Sequence, residues 1–347
     1  MSWPTPPGTV ITEGPLSAAL SAQVQELADA AARADGVAPL SEDVLLQVRS
    51  AARGDDPPLS ARSGPVTDNA IVPAPPGRTI RPQSRDLVLT LADGTLAGFA
   101  HVDAPDEAQD GDASGELVVH PGHRGRGYGR ALSDALIAGT GIAGTGGAGV
   151  RLWAHGELPA ALGLAKAAGY SRFRALWQMR MPLASLGSVP GSAAAAPPDV
   201  SIRTFRPGAD EEAWLAVNGR AFAHHPEQGS WNRQDLLLRE AEPWFDPDGF
   251  FLAERDGRLA GFHWTKVHPA GGTGGAPLGE VYVVGVDPGQ QGGGLGRALT
   301  LAGLRHLRER GLAEVMLYVD EDNTAAVRMY AALGFSHWST DAMYRHP

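Results

Sequence analysis

Two glycine-rich turns carry the clearest chemical signal in this sequence. Gln291-Gly-Gly-Gly-Leu-Gly296 and Arg124-Gly-Arg-Gly-Tyr-Gly129 each stand between a run that reads as a strand and a run that reads as a helix. A turn of this kind presents unpaired backbone N–H groups at the positive end of a helix dipole, a ready site for a pyrophosphate. Its glycines let the backbone approach an anion without Cβ clashes. The residues placed around the phosphates are Gly125, Arg126, Gly127, Tyr128, Gly129 and Arg130 in one turn. In the other they are Gln291, Gly292, Gly293, Gly294, Leu295, Gly296 and Arg297. A dinucleotide fingerprint would show similar glycines, but it belongs to a βαβ unit with an acidic residue about 20 positions further on. Here hairpin signals precede each turn, which argues against that unit.

The elements around the turns also occur twice. His120–Leu132 and Asp287–Leu299 match at eight of thirteen positions without a gap. Leu-Ala-Gly-Phe stands upstream of each, at 96–99 and 259–262, and Arg151–Tyr170 aligns without gaps on Met316–Phe335. The order strand, turn, helix, strand, helix therefore repeats, and the unit is far too long for a solenoid repeat. Period and punctuation predict helices over 16–34 and 41–52, the second with Ser41 as N-cap and Glu42 and Asp43 in its first turn. They predict hairpins over 86–103 and 250–267, each with an Asp-Gly turn, at Asp93-Gly94 and Asp256-Gly257. Glu280–Val286 reads as the strand entering the second turn and Leu295–Arg310 as the helix leaving it. Gly187–Val200, rich in Pro, Gly, Ser and Ala, reads as a linker, so the expected domains are 1–186 and 201–347. Residues 54–83, with seven prolines, read as a long surface loop inside the first copy.

Composition narrows the chemistry. The chain has 347 residues and a formal charge of −10, which disfavours a nucleic-acid partner and suits a small cationic or zwitterionic amine. Cysteine is absent, so disulfides, thiolate metal sites and an acyl-cysteine intermediate are excluded. No signal-peptide pattern and no apolar run of roughly 20 residues is present, so the expectation is a cytoplasmic protein off the membrane. Lysine occurs only at Lys166 and Lys266 against heavy arginine use. His224, His225, His263 and His268 show no metal-ligand spacing and read as polar strand and loop residues, with His263 facing core or pocket. Trp231, Trp244 and Trp264 read as core or pocket wall.

The two turns, with the later Asn323, Tyr330 and Leu333-Gly334-Phe335, resemble the Gcn5-related N-acetyltransferase (GNAT) family, whose motif Gln/Arg-x-x-Gly-x-Gly/Ala is met twice. The resemblance spans nearly the whole chain. It implies an α/β fold of two tandem GNAT domains, each a mixed sheet whose central strands splay around the pantetheine arm of acetyl-CoA. Backbone groups of Leu117, Val118 and Val119, and of Val284, Gly285 and Val286, would pair with that arm. Asn323, Thr324, Ala325, Ala326, Val327 and Arg328 would complete the cofactor contacts. Glu280 would take the ammonium proton of an acceptor amine and Tyr330 would protonate the leaving thiolate. In the internal alignment Glu280 falls on Ala113, Asn323 on Leu158 and Tyr330 on Ala165, so the first copy keeps the glycines and lacks the acid–base groups.

Longer stretches resemble a narrower family, the tandem GNAT acetyltransferases of actinobacterial mycothiol biosynthesis. They are Asp35–Glu42, Ala221–Gly229, Trp244–Gly249, Gly261–Pro269 and Gly279–Pro288. These enzymes acetylate the cysteinyl amine of desacetylmycothiol, a cysteine–glucosamine–inositol conjugate. The resemblance implies that Glu42, Glu227, Lys266, Glu280 and Tyr318 contact this small-molecule acceptor. The absence of metal-ligand spacing leads to the expectation of no metal, and a monomer is expected because the second domain already supplies a GNAT-to-GNAT contact. The insert at 54–83 departs from the family. Two other readings stand beside this one: a tandem GNAT enzyme for an aminoglycoside or peptide amine, and a CoA-responsive regulator without turnover.

Overall fold

The computed structural model describes residues 5–53, 84–103, 111–139, 149–188, 196–223, 228–270, 275–291 and 293–347. The expected loop at 54–83 lies outside these residues. The chain forms two compact units, Met1–Phe173 with Met343–Pro347, and Arg174–Ala342.

In the first unit the elements are β1 (Thr9–Glu13), α1 (Ala18–Asp35), α2 (Glu42–Arg53), β2 (Arg85–Leu91), β3 (Leu96–Asp103), β4 (Ala113–Val119), α3 (Tyr128–Gly139), β5 (Val150–Ala154) and α4 (Pro159–Ala168). Strands β1 to β5 are neighbours in that order, antiparallel except for the parallel pair β4–β5. Helix α1 begins at Ser17, whose hydroxyl accepts from the Leu20 N–H, and ends at Gly36 in the left-handed conformation. Val24, Leu27, Ala28 and Ala31 recur at helical spacing and pack on Val88, Phe99 and Val118 of the sheet. Ser41 caps α2 as the sequence predicts, accepting from the Val44 N–H.

The second unit holds β7 (Val200–Thr204), α5 (Glu211–Ala221), α6 (Arg233–Glu240), β8 (Phe250–Arg255), β9 (Arg258–His268), β10 (Leu278–Val286), α7 (Leu295–Glu309), β11 (Glu314–Asp320) and α8 (Thr324–Ala332). Two further strands, β6 (Ser171–Pro182) and β12 (Ser336–His346), contribute to both units. Residues 176–182 of β6 pair antiparallel with β11, so the sheet runs β6-β11-β10-β9-β8-β7. The units therefore do not divide at the linker. From Arg174 the chain already belongs to the second unit, because its backbone groups are taken up by β11, and the last five residues belong to the first. There Arg345 and Arg151 both donate to Asp112, whose side chain is fully buried. Burial opposes that charge, but the two guanidiniums and the Gly149 N–H outweigh it and hold the carboxyl at about 2.

The hairpins follow their turn chemistry. Asp256 (φ 51°) and Gly257 (φ 71°) both adopt left-handed backbone, as a two-residue primed turn requires, whereas at 93–94 only Gly94 does. The second unit's core is aromatic: Phe205 stacks on Phe250, and Phe250 on Trp264, with centroids 4.4 and 4.5 Å apart. Trp214 closes edge-on against Trp264 at 5.9 Å. His263 is fully buried on the other side of β9, and its Nδ1–H donates to the Leu299 carbonyl at 2.8 Å. Burial depresses its pKa to about 4, against a smaller opposing effect of that hydrogen bond.

A Cβ at Gly303 would overlap the His263 imidazole and the Thr265 methyl. Gly303→Ala gains about 1 kcal/mol of helix propensity but is expected to lose roughly 1–3 kcal/mol to overpacking, a net destabilisation in urea unfolding. Because folding depresses the His263 pKa, its contribution is present above about pH 6.5 and is lost as pH falls toward 4. A urea series over that range, compared with His263→Phe, checks the sign.

Candidate active site

The second glycine turn folds as its sequence predicts. Gly294 takes the left-handed conformation (φ 77°) and opens α7, leaving the first N–H groups of the helix without intrahelical partners. Gln291 reaches back to the Val286 carbonyl at 3.5 Å, and Asp287 accepts from the Gly289 N–H at 3.0 Å. Upstream, β10 pairs with β11 only at Gly279, Glu280 and Val281. Beyond these three positions the edge of β10 facing β11 has no strand partner among the described residues. A β-bulge at Tyr282 interrupts the ladder with β9 at the same point. The unpaired edge and the turn border one cleft of about 430 Å³. Val284, Gly285, Val286, Gln291, Gly294, Leu295, Gly296 and Arg297 line it, with Ala326, Met329 and Tyr330 of α8 opposite. An extended arm ending in a pyrophosphate fits this form, because unpaired strand groups lead directly to a helix N-terminus.

The groups with acid–base chemistry sit where the strands part. Lys266, Glu280, Met316 and Arg180 form a cross-strand row over β9, β10, β11 and β6. Glu280 is buried, and its Oε2 accepts from His268 Nε2 at 2.7 Å. Lys266 is also buried, with Nζ 4.4 Å above the Trp244 ring and 5.0 Å above that of Tyr282. Tyr318 follows Met316 on the same face, and its hydroxyl accepts from Gln178 Nε2 at 2.9 Å. Its residue is 39% exposed, but the hydroxyl turns inward. Burial there, with Asp341 and Glu280 nearby, raises the phenol well above its ordinary range. Val281, Val315 and Leu317 point to the opposite face, into the core formed with α7 and Tyr330. Glu280 and Tyr330 thus approach the gap from opposite faces of the sheet. Tyr330 is 6% exposed, and burial pushes its phenol up to about 12. Its hydroxyl makes no hydrogen bond to a described residue.

The first unit repeats the cleft without these groups. Gly127 is left-handed (φ 84°) at the start of α3, and β4 pairs with β5 over only three residues. A cleft of about 330 Å³ is lined by Leu117, Val118, Val119, Gly125, Gly127, Tyr128, Gly129 and Arg130. Arg126 turns away, donating to the Gly122 carbonyl at 3.3 Å. Arg124 matches Gln291: its Nε donates to the strand-end carbonyl of Val119 while its two terminal nitrogens hold Asp35 at 2.6 and 2.7 Å. The bulge corrects one position of the internal alignment. Glu280 pairs with Lys266 and Met316, whose repeat partners Asp103 and Arg151 both pair with Ser114. Ser114, not Ala113, therefore stands at the Glu280 position, because β4 lacks the extra residue at the bulge. Ala165 stands in α4 where α8 has Tyr330. Leu158 provides no side-chain cap to α4, whereas Asn323 accepts from the Ala326 N–H to cap α8.

Comparison with known proteins accords with this geometry. The model of the Acetyltransferase (GNAT) family matches residues 60–170 and 218–335. The mycothiol acetyltransferase of Thermobispora bispora is 55% identical over 323 residues, covering 93% of this chain and 94% of that protein. That of Thermomonospora curvata is 54% identical over 326 residues, 94% and 93% of the two chains. The chain belongs to the mycothiol acetyltransferase family, and its two matched regions make it a tandem GNAT protein. At the level of fold it is similar to a tandem GNAT protein from the clavulanic acid biosynthesis pathway, with TM-score 0.65, 22% identity and coverage of 97% and 98%. A GCN5-related N-acetyltransferase from Sphaerobacter thermophilus aligns with TM-score 0.59, 22% identity and coverage of 97% and 95%.

Among the remaining sequence-predicted residues of this GNAT chain, Thr324, Ala325 and Arg328 are exposed at the start of α8, and Val327 packs on the core. Gly293 lies within the turn and is not among the residues lining the cleft. Glu42 opens α2 of the first unit. Glu227 and Gly292, with His224 and His225, lie outside the described residues. Among the described residues no three His, Asp or Glu side chains gather as metal ligands, and no helix is long and apolar enough to cross a membrane. Sequence reading missed His268, Gln178, Arg180 and Asp341. His268 was open to inference, since it lies two residues from Lys266 on the same strand face. Gln178 was not, being 140 residues from Tyr318.

Because its pKa is raised, Tyr330 keeps its proton up to about pH 12. Tyrosinate absorbance at 295 nm should therefore show a late step near pH 12 that disappears in Tyr330→Phe. Loss of an early step, near the ordinary value of about 10, would contradict the assignment.

Proposed function

We propose that this chain, working as a cytoplasmic monomer, transfers the acetyl group of acetyl-CoA to the cysteinyl amine of desacetylmycothiol, the last step of mycothiol biosynthesis. The observation that carries this reading is a buried carboxylate and a buried phenol meeting one strand gap from opposite faces. They do so in a chain 55% identical, over 93% of its length, to a mycothiol acetyltransferase.

The second unit carries the chemistry. The turn at 291–296 and the start of α7 bind the pyrophosphate, and the free edge of Val284–Val286 binds the pantetheine arm. Acetyl-CoA supplies the thioester that the amine attacks. Glu280 takes the ammonium proton. An α-amine has a reference pKa near ~7.7, so only modest basicity is needed. A backbone N–H of the 284–286 stretch polarises the thioester carbonyl. Tyr330, still protonated, donates to the departing sulfur. Lys266 and Tyr318 contact the hydroxyl-rich acceptor, and the two rings under Lys266 fix its direction. The first unit binds CoA at its own turn and performs no transfer, because Ser114 and Ala165 stand where the base and acid would be.

Steady-state turnover tests the reading with desacetylmycothiol, glucosaminyl-inositol, an aminoglycoside and a peptide amine as acceptors. Selective turnover of desacetylmycothiol is expected; preference for another amine would overturn the substrate. Glu280→Gln should lower kcat by about 10²- to 10⁴-fold with acetyl-CoA affinity nearly unchanged. Loss of acetyl-CoA binding instead would remove Glu280 from the acceptor side.

A further inference from the structure

Acetylation of an ammonium group releases one proton per turnover. The nitrogen gives up two, one before and one after it bonds the acetyl carbon; one ends on the sulfur, and the other must leave the site. Glu280 is the acceptor of the proton that leaves, on the reading given above, and its side chain is only 8% exposed. An acceptor molecule in front of it would close its remaining access to water. One route out is already built. His268 Nε2 lies 2.7 Å from Glu280 Oε2, while the His268 side chain is 36% exposed.

We propose that His268 is the proton exit of the transfer reaction, carrying to solvent the proton that Glu280 removes from the amine. This rests on Glu280 acting as the base. Strand geometry sets the contact: Lys266 faces Glu280 directly across the ladder, and His268, two residues on, reaches it diagonally from the same face. The surroundings leave the imidazole to this task. Leu278 stands opposite it in the ladder. Lys266 is turned to the rings of Trp244 and Tyr282, and Tyr318, with Asp341 and Arg180, lies on the β11 side of Glu280. Among the described residues Glu280 is the sole side-chain partner of His268. The steps balance. At rest the Nε2–H tautomer donates to the Glu280 carboxylate. Once the amine proton has neutralised that carboxylate, exchange with water shifts the imidazole to its Nδ1–H tautomer, and Nε2 then takes the carboxyl proton, forming imidazolium. Nδ1 yields its hydrogen to water, which restores the Nε2–H tautomer.

His268 acts through Glu280, so the test must separate relay from positioning. The full-length protein is assayed with acetyl-CoA and desacetylmycothiol as wild type, His268→Ala, His268→Gln and Glu280→Gln. The alanine variant should lose about ten- to a hundredfold in kcat, with KM for both substrates nearly unchanged, and added imidazole should restore turnover. The glutamine variant keeps an N–H for Glu280 but cannot pass a proton. It should be as slow as the alanine variant and indifferent to imidazole. Wild-type kcat in either His268 variant overturns the relay, and so does an alanine defect that imidazole leaves unchanged. If the alanine variant does not fold, the kcat of the glutamine variant decides alone. Wild-type turnover in Glu280→Gln would instead overturn the base assignment itself. A slow Glu280→Gln beside a fast His268→Gln would overturn only the exit.

Discussion

Parallel pairing between β10 and β11 stops at Val281, and the cleft of the second unit depends on the edge this leaves open. A strand interior ordinarily satisfies its backbone groups on both sides. Here one side of Tyr282–Val286 is withheld from the sheet, while the other stays registered on β9. The bulge makes this tolerable, because the extra residue increases the local twist and turns β10 away from its neighbour. The same bulge inverts the facing of side chains. Glu280 before it and Val283 after it both point toward α5 and α6, although three positions separate them. Packing on both faces then fixes the gap, with the stacked rings of Phe250 and Trp264 on one side and the aliphatic core under α7 and α8 on the other.

That constraint links packing to electrostatics. Tyr282, the extra residue, accepts from Arg239 at 2.8 Å and helps seat the Lys266 ammonium against two rings. Cation–π contacts of this sort are worth about 0.5–2 kcal/mol, modest for stability but enough to hold a long flexible side chain in one direction. Glu280 lies beside Lys266 in the same row yet bonds His268 instead. A directed carboxylate–imidazole contact is thereby kept apart from the cation, and both remain turned to the face where an acceptor would lie.

The two copies show how one scaffold diverges without changing its frame. Both keep a left-handed glycine before the helix, a three-residue parallel pairing and a side chain holding the strand-end carbonyl. The first copy places its charges in internal pairs: Arg124 with Asp35, Asp112 between Arg151 and Arg345, and His101 between Asp86 and Asp103. Burial opposes the charge on His101, but its bonds to Asp103 and Asp86 outweigh this and raise it to about 10. Charges so partnered hold elements together and have little freedom to exchange protons with a ligand.

Much of this was written in local sequence. The repeated turns, the Asp-Gly hairpins and the Ser41 cap depend on neighbours a few residues apart or on a motif that the chain states twice. Backbone conformation at such positions is set by residue type, so Gly294 and Gly127 could be read directly. Glu280 and Tyr330 stood out in the sequence because the first copy lacks their functional groups. Tertiary structure decided the rest. A bulge adds one residue without leaving a gap in the sequence, so only the ladder shows that Ser114 occupies the place of Glu280. Gln178 and Asp341 reach Tyr318 from strands remote in the chain, and the last five residues return to the first unit. Strand pairing is a long-range choice, made by whichever backbone edge is left to satisfy, and residue spacing along the chain does not record it.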